Sequence, residues 1–184
     1  NLTGNLDGIS FSSESTNNLI VNSFVQDSTS RDIFFDGISN NNTFINTTFN
    51  KSSVQINGGY INVKWYLDVN VTDYQGALNA SNVTAWNVSA QQAFSNLTNE
   101  SGVIARKILQ EYMQNSTGVY TANNYTINAT KIDYFNHSQQ LNITSSTQIN
   151  IFLHALNQYN ICPPSFAGAN WIINQTVSCS DKVI

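Results

Sequence analysis

"TNNLIVNSFVQ" (Thr16–Gln26) returns 24 residues later as "NNNTFINTTFN" (Asn40–Asn50). Asn17, Asn18, Ile20, Val21 and Asn22 fall on Asn41, Asn42, Phe44, Ile45 and Asn46. Between the two copies, "DIFFDG" supplies another short apolar run. Short β-prone runs separated by Asn/Ser turns, recurring at about one coil length, form the pattern of a parallel β-helix. The same residues also read as two ordinary strands of an Asn-rich sandwich. Two coils alone bury too little to be stable, so an element that caps or continues them is expected.

The second copy also carries three N-x-[ST] triplets within ten residues, at Asn41, Asn46 and Asn50. The chain has 29 Asn and 37 Ser plus Thr in 184 residues, from which chance produces about six such triplets. There are sixteen: Asn1, Asn41, Asn46, Asn50, Asn70, Asn79, Asn82, Asn87, Asn96, Asn99, Asn115, Asn124, Asn128, Asn136, Asn142 and Asn174, none with Pro in the middle. Composition accounts for about a third of them. The triplet marks an acceptor for N-linked glycan on an exposed segment of a secreted protein, so an extracellular glycoprotein is expected.

Composition agrees. Apolar residues make up 41%, a globular proportion, but charged residues only 10%, so amides, hydroxyls and attached sugar must carry solubility. With 7 basic against 11 acidic residues there is no basic patch for phosphates, and nucleic acid is not an expected partner. No apolar run reaches the length of a membrane span. The chain shows no signal peptide or initiator Met, which reads as a mature chain or a fragment. Cys162 and Cys179 lie 17 apart. In a secreted chain the default reading is a disulfide, stabilising the C-terminal segment by about 3 kcal/mol. A metal or catalytic pair is the alternative, with no His at ligand spacing to support it.

Residues 60–155 alternate. In "VKWYLDVNVT", Val63, Trp65, Leu67, Val69 and Val71 share one face, and Lys64, Tyr66, Asp68, Asn70 and Thr72 the other. That period of two is a half-buried strand. Asn70-Val71-Thr72, Asn128-Ala129-Thr130 and Asn142-Ile143-Thr144 place an apolar residue between acceptor and hydroxyl, so on a strand the glycan stands outward while the core stays apolar. Further strands are expected at Asn82–Val88, Tyr125–Ile132 and Thr147–Leu153. "SGVIARKILQEYMQ" reads as a strand over Gly102–Tyr112 or as a helix striped by Ile104, Ile108 and Tyr112. Strands at this spacing imply an immunoglobulin-like sandwich.

Three resemblances sharpen this. The Thr16–Asn50 repeats look like the right-handed β-helix repeats of archaeal surface proteins. "YTINATKIDY" (Tyr125–Tyr134), preceded by "TNESGVIARKIL", resembles the Y-x-I-x-A-x-K-x-G-Y pattern of carboxypeptidase-regulatory-like sandwich domains, with Asp133 where that pattern has Gly. The resemblance covers about residues 62–154 and implies a spacer or stalk rather than a catalyst. In the C-terminal part, Pro163-Pro164 reads as a rigid break, and Trp171, Ile173, Thr176 and Cys179 are similar to the leading segment of archaeal β-helix domains. Read tail to head, "CSDKVI" followed by "NLTGNLDG" makes one continuous coil, which suggests a tandem array or subunits whose ends complete a neighbour's β-structure. Arbitrary domain ends are the other reading.

Chemistry is sparse in this pattern. His137 lies inside a triplet, and His154 follows the last sandwich strand; neither has a partner at motif spacing. Asp27, Asp32 and Asp36 with Arg31 are the nearest thing to the carboxylate cluster of a β-helix glycosidase or lyase. "DVNVTD" could offer oxygens to calcium, without an EF-hand pattern. Trp65 and Trp171 read as core, and Trp86, which shares a face with Asn82 and Thr84, as a surface ring.

The expectation is an all-β, non-enzymatic chain: an immunoglobulin-like β-sandwich (60–155) flanked by a β-helix-like or strand-exchange segment (1–58) and a disulfide-pinned β segment (156–184). No cofactor is expected beyond covalent N-glycans, and no metal. The partners are copies of itself in an extracellular head-to-tail filament or surface layer, without membrane insertion. A surface adhesin or carbohydrate-binding module on a stalk is the alternative, and would require a concave aromatic site free of triplets. Gly4–Ser39 and Thr144–Ala169 are the long triplet-poor stretches, and subunit contacts are expected there.

Overall fold

The computed structural model describes residues 4–26 and 28–156. Cys162, Cys179, Asn1, Asn174, Asp27, Pro163, Pro164 and Trp171 lie outside the described residues, and with them the disulfide expectation.

The described chain is all-β, built from two sheets. Its strands are β1 (Asp7–Phe11), β2 (Leu19–Val21), β3 (Arg31–Ile45), β4 (Val54–Asp73), β5 (Gly76–Ala77), β6 (Asn82–Trp86), β7 (Gln92–Leu97), β8 (Lys107–Asn115), β9 (Gly118–Thr121), β10 (Asn124–Thr130), β11 (His137–Asn142) and β12 (Thr147–Phe152). A mixed eight-stranded sheet runs β1-β3-β4-β8-β9, with β2 on β3 and both β5 and β12 on β4. An antiparallel four-stranded sheet runs β11-β10-β6-β7.

The 24-residue spacing reappears as strand register. β1 pairs parallel with β3 as Asp7–Arg31, Ile9–Ile33 and Phe11–Phe35, and β2 as Leu19–Thr43, Ile20–Phe44 and Val21–Ile45. Parallel neighbours at one fixed offset stack like side chains on like. Phe11 lies on Phe35 with centroids 4.4 Å apart, inside a core shared with Phe44 and Phe49. Arg31 reaches Asp7 through two hydrogen bonds, of 2.8 and 3.0 Å. "DIFFDG" is therefore the first half of a 15-residue strand and no separate run.

The expected capping element is β4, 20 residues long and passing unbroken through residues 58–60. It pairs parallel with β3 and then, further along, parallel with β12. On its other side it pairs antiparallel with β8. β3 is bulged opposite Gly58 and Gly59, where the chains approach closely. A Cβ on Gly59 (φ +83°) would lie 2.1 Å from the carbonyl oxygen of Ser39. Ser146 closes the hand-over from β3 to β12, donating to Asn46 Oδ1 (2.7 Å) and accepting from the Tyr66 amide (3.0 Å).

The alternation in β4 holds. Val63, Trp65, Leu67, Val69 and Val71 are buried and the residues between them are not. They join Val83, Ala85, Tyr125, Ile127, Ala129 and Ile151 in one core continuous with that of the coils. Residues 107–115 form a strand, and the helical reading of this segment fails. Pairing along β4 satisfies its backbone, while Ile108, one of the supposed stripe residues, is half exposed. In place of a strand, the segment from Gly102 to Arg106 forms a single bridge, Val103 to Asn70. β7, β9 and β11 are edge strands, which periodicity does not reveal.

Candidate functional site: asparagine ladders and the acceptor surface

The coil corners explain several asparagines before any sugar is invoked. Asn17, Asn41, Asn22 and Asn46 adopt left-handed backbone, with φ of 59°, 56°, 51° and 48°. Asn tolerates this region because its short amide bonds locally. At each corner the amides stack: Asn41 Nδ2 donates to Asn17 Oδ1 (2.8 Å), and Asn46 Nδ2 to Asn22 Oδ1 (2.9 Å). Between the corners Asn42 is fully buried. Its Oδ1 accepts from the Asn18 amide and Asn18 Nδ2, both at 2.9 Å. Its Nδ2 donates to the carbonyls of Ser15 (2.9 Å) and Ser39 (3.2 Å). A buried amide is tolerated because every lone pair and proton is used. Sequence reasoning missed these ladders, although the alignment of Asn17, Asn18 and Asn22 on Asn41, Asn42 and Asn46 was their signal.

A second structural use concerns turns. Asn50, Asn87, Asn99 and Asn115 each accept, on Oδ1, the backbone amide of the Ser or Thr two residues on. This is the Asx-turn, and it selects Asn followed by a small polar residue for reasons of local geometry. Asn50, Asn99 and Asn115 hold Oδ1 this way with no described partner on Nδ2, the atom a glycan would use.

Of the fourteen described triplet asparagines, none is buried. Asn41, Asn50, Asn79, Asn99, Asn124, Asn136 and Asn142 are exposed; Asn46, Asn70, Asn82, Asn87, Asn96, Asn115 and Asn128 are half-buried. Val71, Ala129 and Ile143, the middle residues of the strand triplets, are all buried. Two hydroxyls of the pattern are buried as well. Thr98 donates to the Leu78 carbonyl (2.6 Å) and accepts from the Ser81 amide (2.9 Å), which locks the β6–β7 ends together.

The titratable groups proposed from sequence are spread through structural contacts. Buried Asp32 accepts from the Asn50 amide (2.7 Å), Arg31 is committed to Asp7 and lies over the Phe34 ring, and Asp36 is exposed. In "DVNVTD", Asp68 pairs with Arg106 (2.8 Å), and Asp73 accepts from Tyr134 Oη (2.7 Å) and the Gln75 amide. The Tyr134 hydrogen bond holds the Asp73 carboxyl below its ordinary value and pushes the Tyr134 hydroxyl up. His137 contacts Gln139, and His154 packs against Tyr74 and Phe152. Trp65 is core and donates to Glu111 (2.6 Å), whose other oxygen receives Lys51 (2.5 Å). Trp86 is half-buried on the same face as Asn82 and Thr84. Among the described residues no group of three or more His, Cys, Asp or Glu is placed to hold a metal ion.

Asp133 occupies left-handed backbone (φ +64°), the conformation that a Gly in its place would take freely. Tyr125 ties the sheets together, its hydroxyl donating to the Gln110 carbonyl (2.9 Å) and accepting from its amide (3.1 Å). Burial pushes that hydroxyl's pKa up. Two shallow hollows of about 480 and 540 Å³ border acceptor asparagines, Asn50 and Asn82 respectively.

The geometry defines an all-β, two-sheet protein with stacked parallel coils at one end. No family model and no curated protein matches the chain. Among solved structures it is similar to the Bacillus anthracis TIE protein, at 20% identity and a TM-score of 0.36 over 51% of this chain. The match spans 17% of the length of that protein.

Proposed function

We propose that the chain is a structural, non-catalytic subunit of an extracellular, N-glycosylated filament or surface layer, joined head-to-tail through terminal β-segments. One observation carries this reading: none of the fourteen described acceptor asparagines is buried, and they stand on the coils, on both sheets and on the turns between them. The described side-chain hydrogen bonds of Asn50, Asn99 and Asn115 all run through Oδ1, which suits a sugar on Nδ2. A coat so distributed protects a surface and leaves little room for a substrate. Contacts between copies fall to the triplet-free stretch Gly4–Ser39, where β1 and β2 each pair only with β3 among the described residues. Such edges are templates for further strands.

The test is electron microscopy of native, untreated material combined with glycopeptide mapping. Regular filaments or sheets with occupied acceptors at Asn50, Asn99 and Asn115 are expected. Dispersed single particles would overturn the assembly reading, and unmodified asparagines throughout would overturn the coat.

A further inference from the structure

The pattern Asn-x-apolar-apolar-Asn-x-x-apolar occurs three times in the chain: Asn18–Val25, Asn42–Phe49 and Asn170–Val177. The structure gives each position of the first two a task. The first Asn bonds across coils, the second takes the left-handed corner, and the first and last apolar residues (Ile20 and Val25, Phe44 and Phe49) face the core. Where one coil covers the next, the motif is sealed: Asn42 and Phe44 are fully buried beneath the first coil. The first coil's own copy lacks such a cover among the described residues. Asn18 and Asn22 are exposed, Ile20 is half-buried, and Leu19 is 62% exposed. This uncovered coil is also free of acceptor triplets, in a chain that holds sixteen.

We infer that Asn170–Val177 of a second copy of this chain adds in parallel to the open edge of β2. Trp171, Ile172 and Ile173 lie opposite Leu19, Ile20 and Val21, Asn170 stacks on Asn18, and Asn174 extends the Asn22–Asn46 ladder. Ile172 then covers Ile20 as Ile20 covers Phe44. This rests on the assembly reading above and names its segment and its edge. The chain's own segment is the rival occupant. Leu153 bonds to Thr72, ten residues along β4 from Asn62, which is level with Thr43 and Leu19. Returning spans roughly 33 Å, within the about 45 Å that the thirteen residues from 157 to 169 reach when fully extended. The second copy is chosen because head-to-tail joining through terminal β-segments brings a neighbour's C-terminal segment to this edge, and the linkage test below separates the two.

The full chain carrying Leu19→Cys is mixed with full chain carrying Trp171→Cys, and disulfide-linked peptides are identified by mass spectrometry, which separates them from any linkage of Cys162 or Cys179. Directly opposed strand residues meet the distance a disulfide requires. A 19–171 linkage between chains is expected. Asn174→Ala should weaken self-association roughly tenfold by removing the Oδ1 that accepts from Asn22 Nδ2 in the extended ladder, while Thr176→Val, which removes the triplet but keeps Asn174, should leave it unchanged. Filaments without a 19–171 linkage would overturn this inference and leave the assembly reading standing; an absence of both would overturn the two together. In a chain carrying both Leu19→Cys and Trp171→Cys, a 19–171 linkage confined within single chains would assign the edge to the chain's own segment and overturn the second copy.

Discussion

Asn42→Ala isolates the ladder from the glycan question, because Asn42 is the middle residue of its triplet and the acceptor Asn41-x-Thr43 survives the change. The side chain is fully buried and makes four hydrogen bonds, two through Oδ1 and two through Nδ2. Each bond contributes about 0.5–1.5 kcal/mol net, and removing one partner leaves the other groups desolvated. The carbonyl of Ser39 lies within the fold and loses its donor, whereas Asn18 is exposed and recovers water. Since bonds to one amide are not additive, the expected loss is about 2–4 kcal/mol, or roughly 5–15 °C in Tm for a chain of this length. Thermal and urea unfolding measure it. Asn42→Asp is the companion: it keeps the acceptor for Asn18 but turns an oxygen toward the carbonyls of Ser15 and Ser39. Its buried carboxyl is raised above its unfolded value of about 4, so the penalty is full at neutral pH and shrinks as pH falls toward 4. A loss below about 1 kcal/mol for Asn42→Ala would refute the ladder as a structural element.

Three further outcomes follow from specific contacts. Gly59→Ala should destabilise by about 2 kcal/mol or more, because the backbone is left-handed there and the new Cβ meets the Ser39 carbonyl; calorimetry showing an unchanged Tm would contradict the close approach. Tyr134→Phe should return the Asp73 carboxyl toward its ordinary value. The hydrogen bond favours the charged form, so wild type should exceed the variant in stability above about pH 4 and the two should converge as pH falls through the depressed pKa; parallel curves from pH 2 to 7 would argue against it. Glu111→Gln should lose about 1–3 kcal/mol by weakening both the Lys51 pair and the Trp65 bond, with a change in tryptophan fluorescence; an unperturbed melt and spectrum would remove Glu111 from the junction.

Much of the fold was legible because its signals are local. Strand β4 announces itself through Val63 to Val71, since burial of one sheet face demands a period of two. The coil register was visible as the 24-residue return of Asn17 to Asn22, because parallel stacking places like residues on like. The burial of the middle residues of the strand triplets was legible too, since Val71, Ala129 and Ile143 alternate with Asn70, Asn128 and Asn142, none of which is buried. Other features depend on which strands meet, and nothing local specifies that. The edge strands β7 and β11 carry no apolar period in sequence and exist because β6 and β10 need neighbours to satisfy their backbone. Residues 107–115 are ambiguous alone and become a strand because β4 offers an antiparallel edge. Lys51, Trp65 and Glu111, up to 60 residues apart, meet only once the coils and the sandwich share β4. The sequence by itself determined the periods, the repeat and the positions of the N-x-[ST] triplets, because these reside in neighbouring residues. Tertiary structure decided the pairings, and so decided which asparagines hold the coils together, because a buried amide acquires its task from the chain that lies against it.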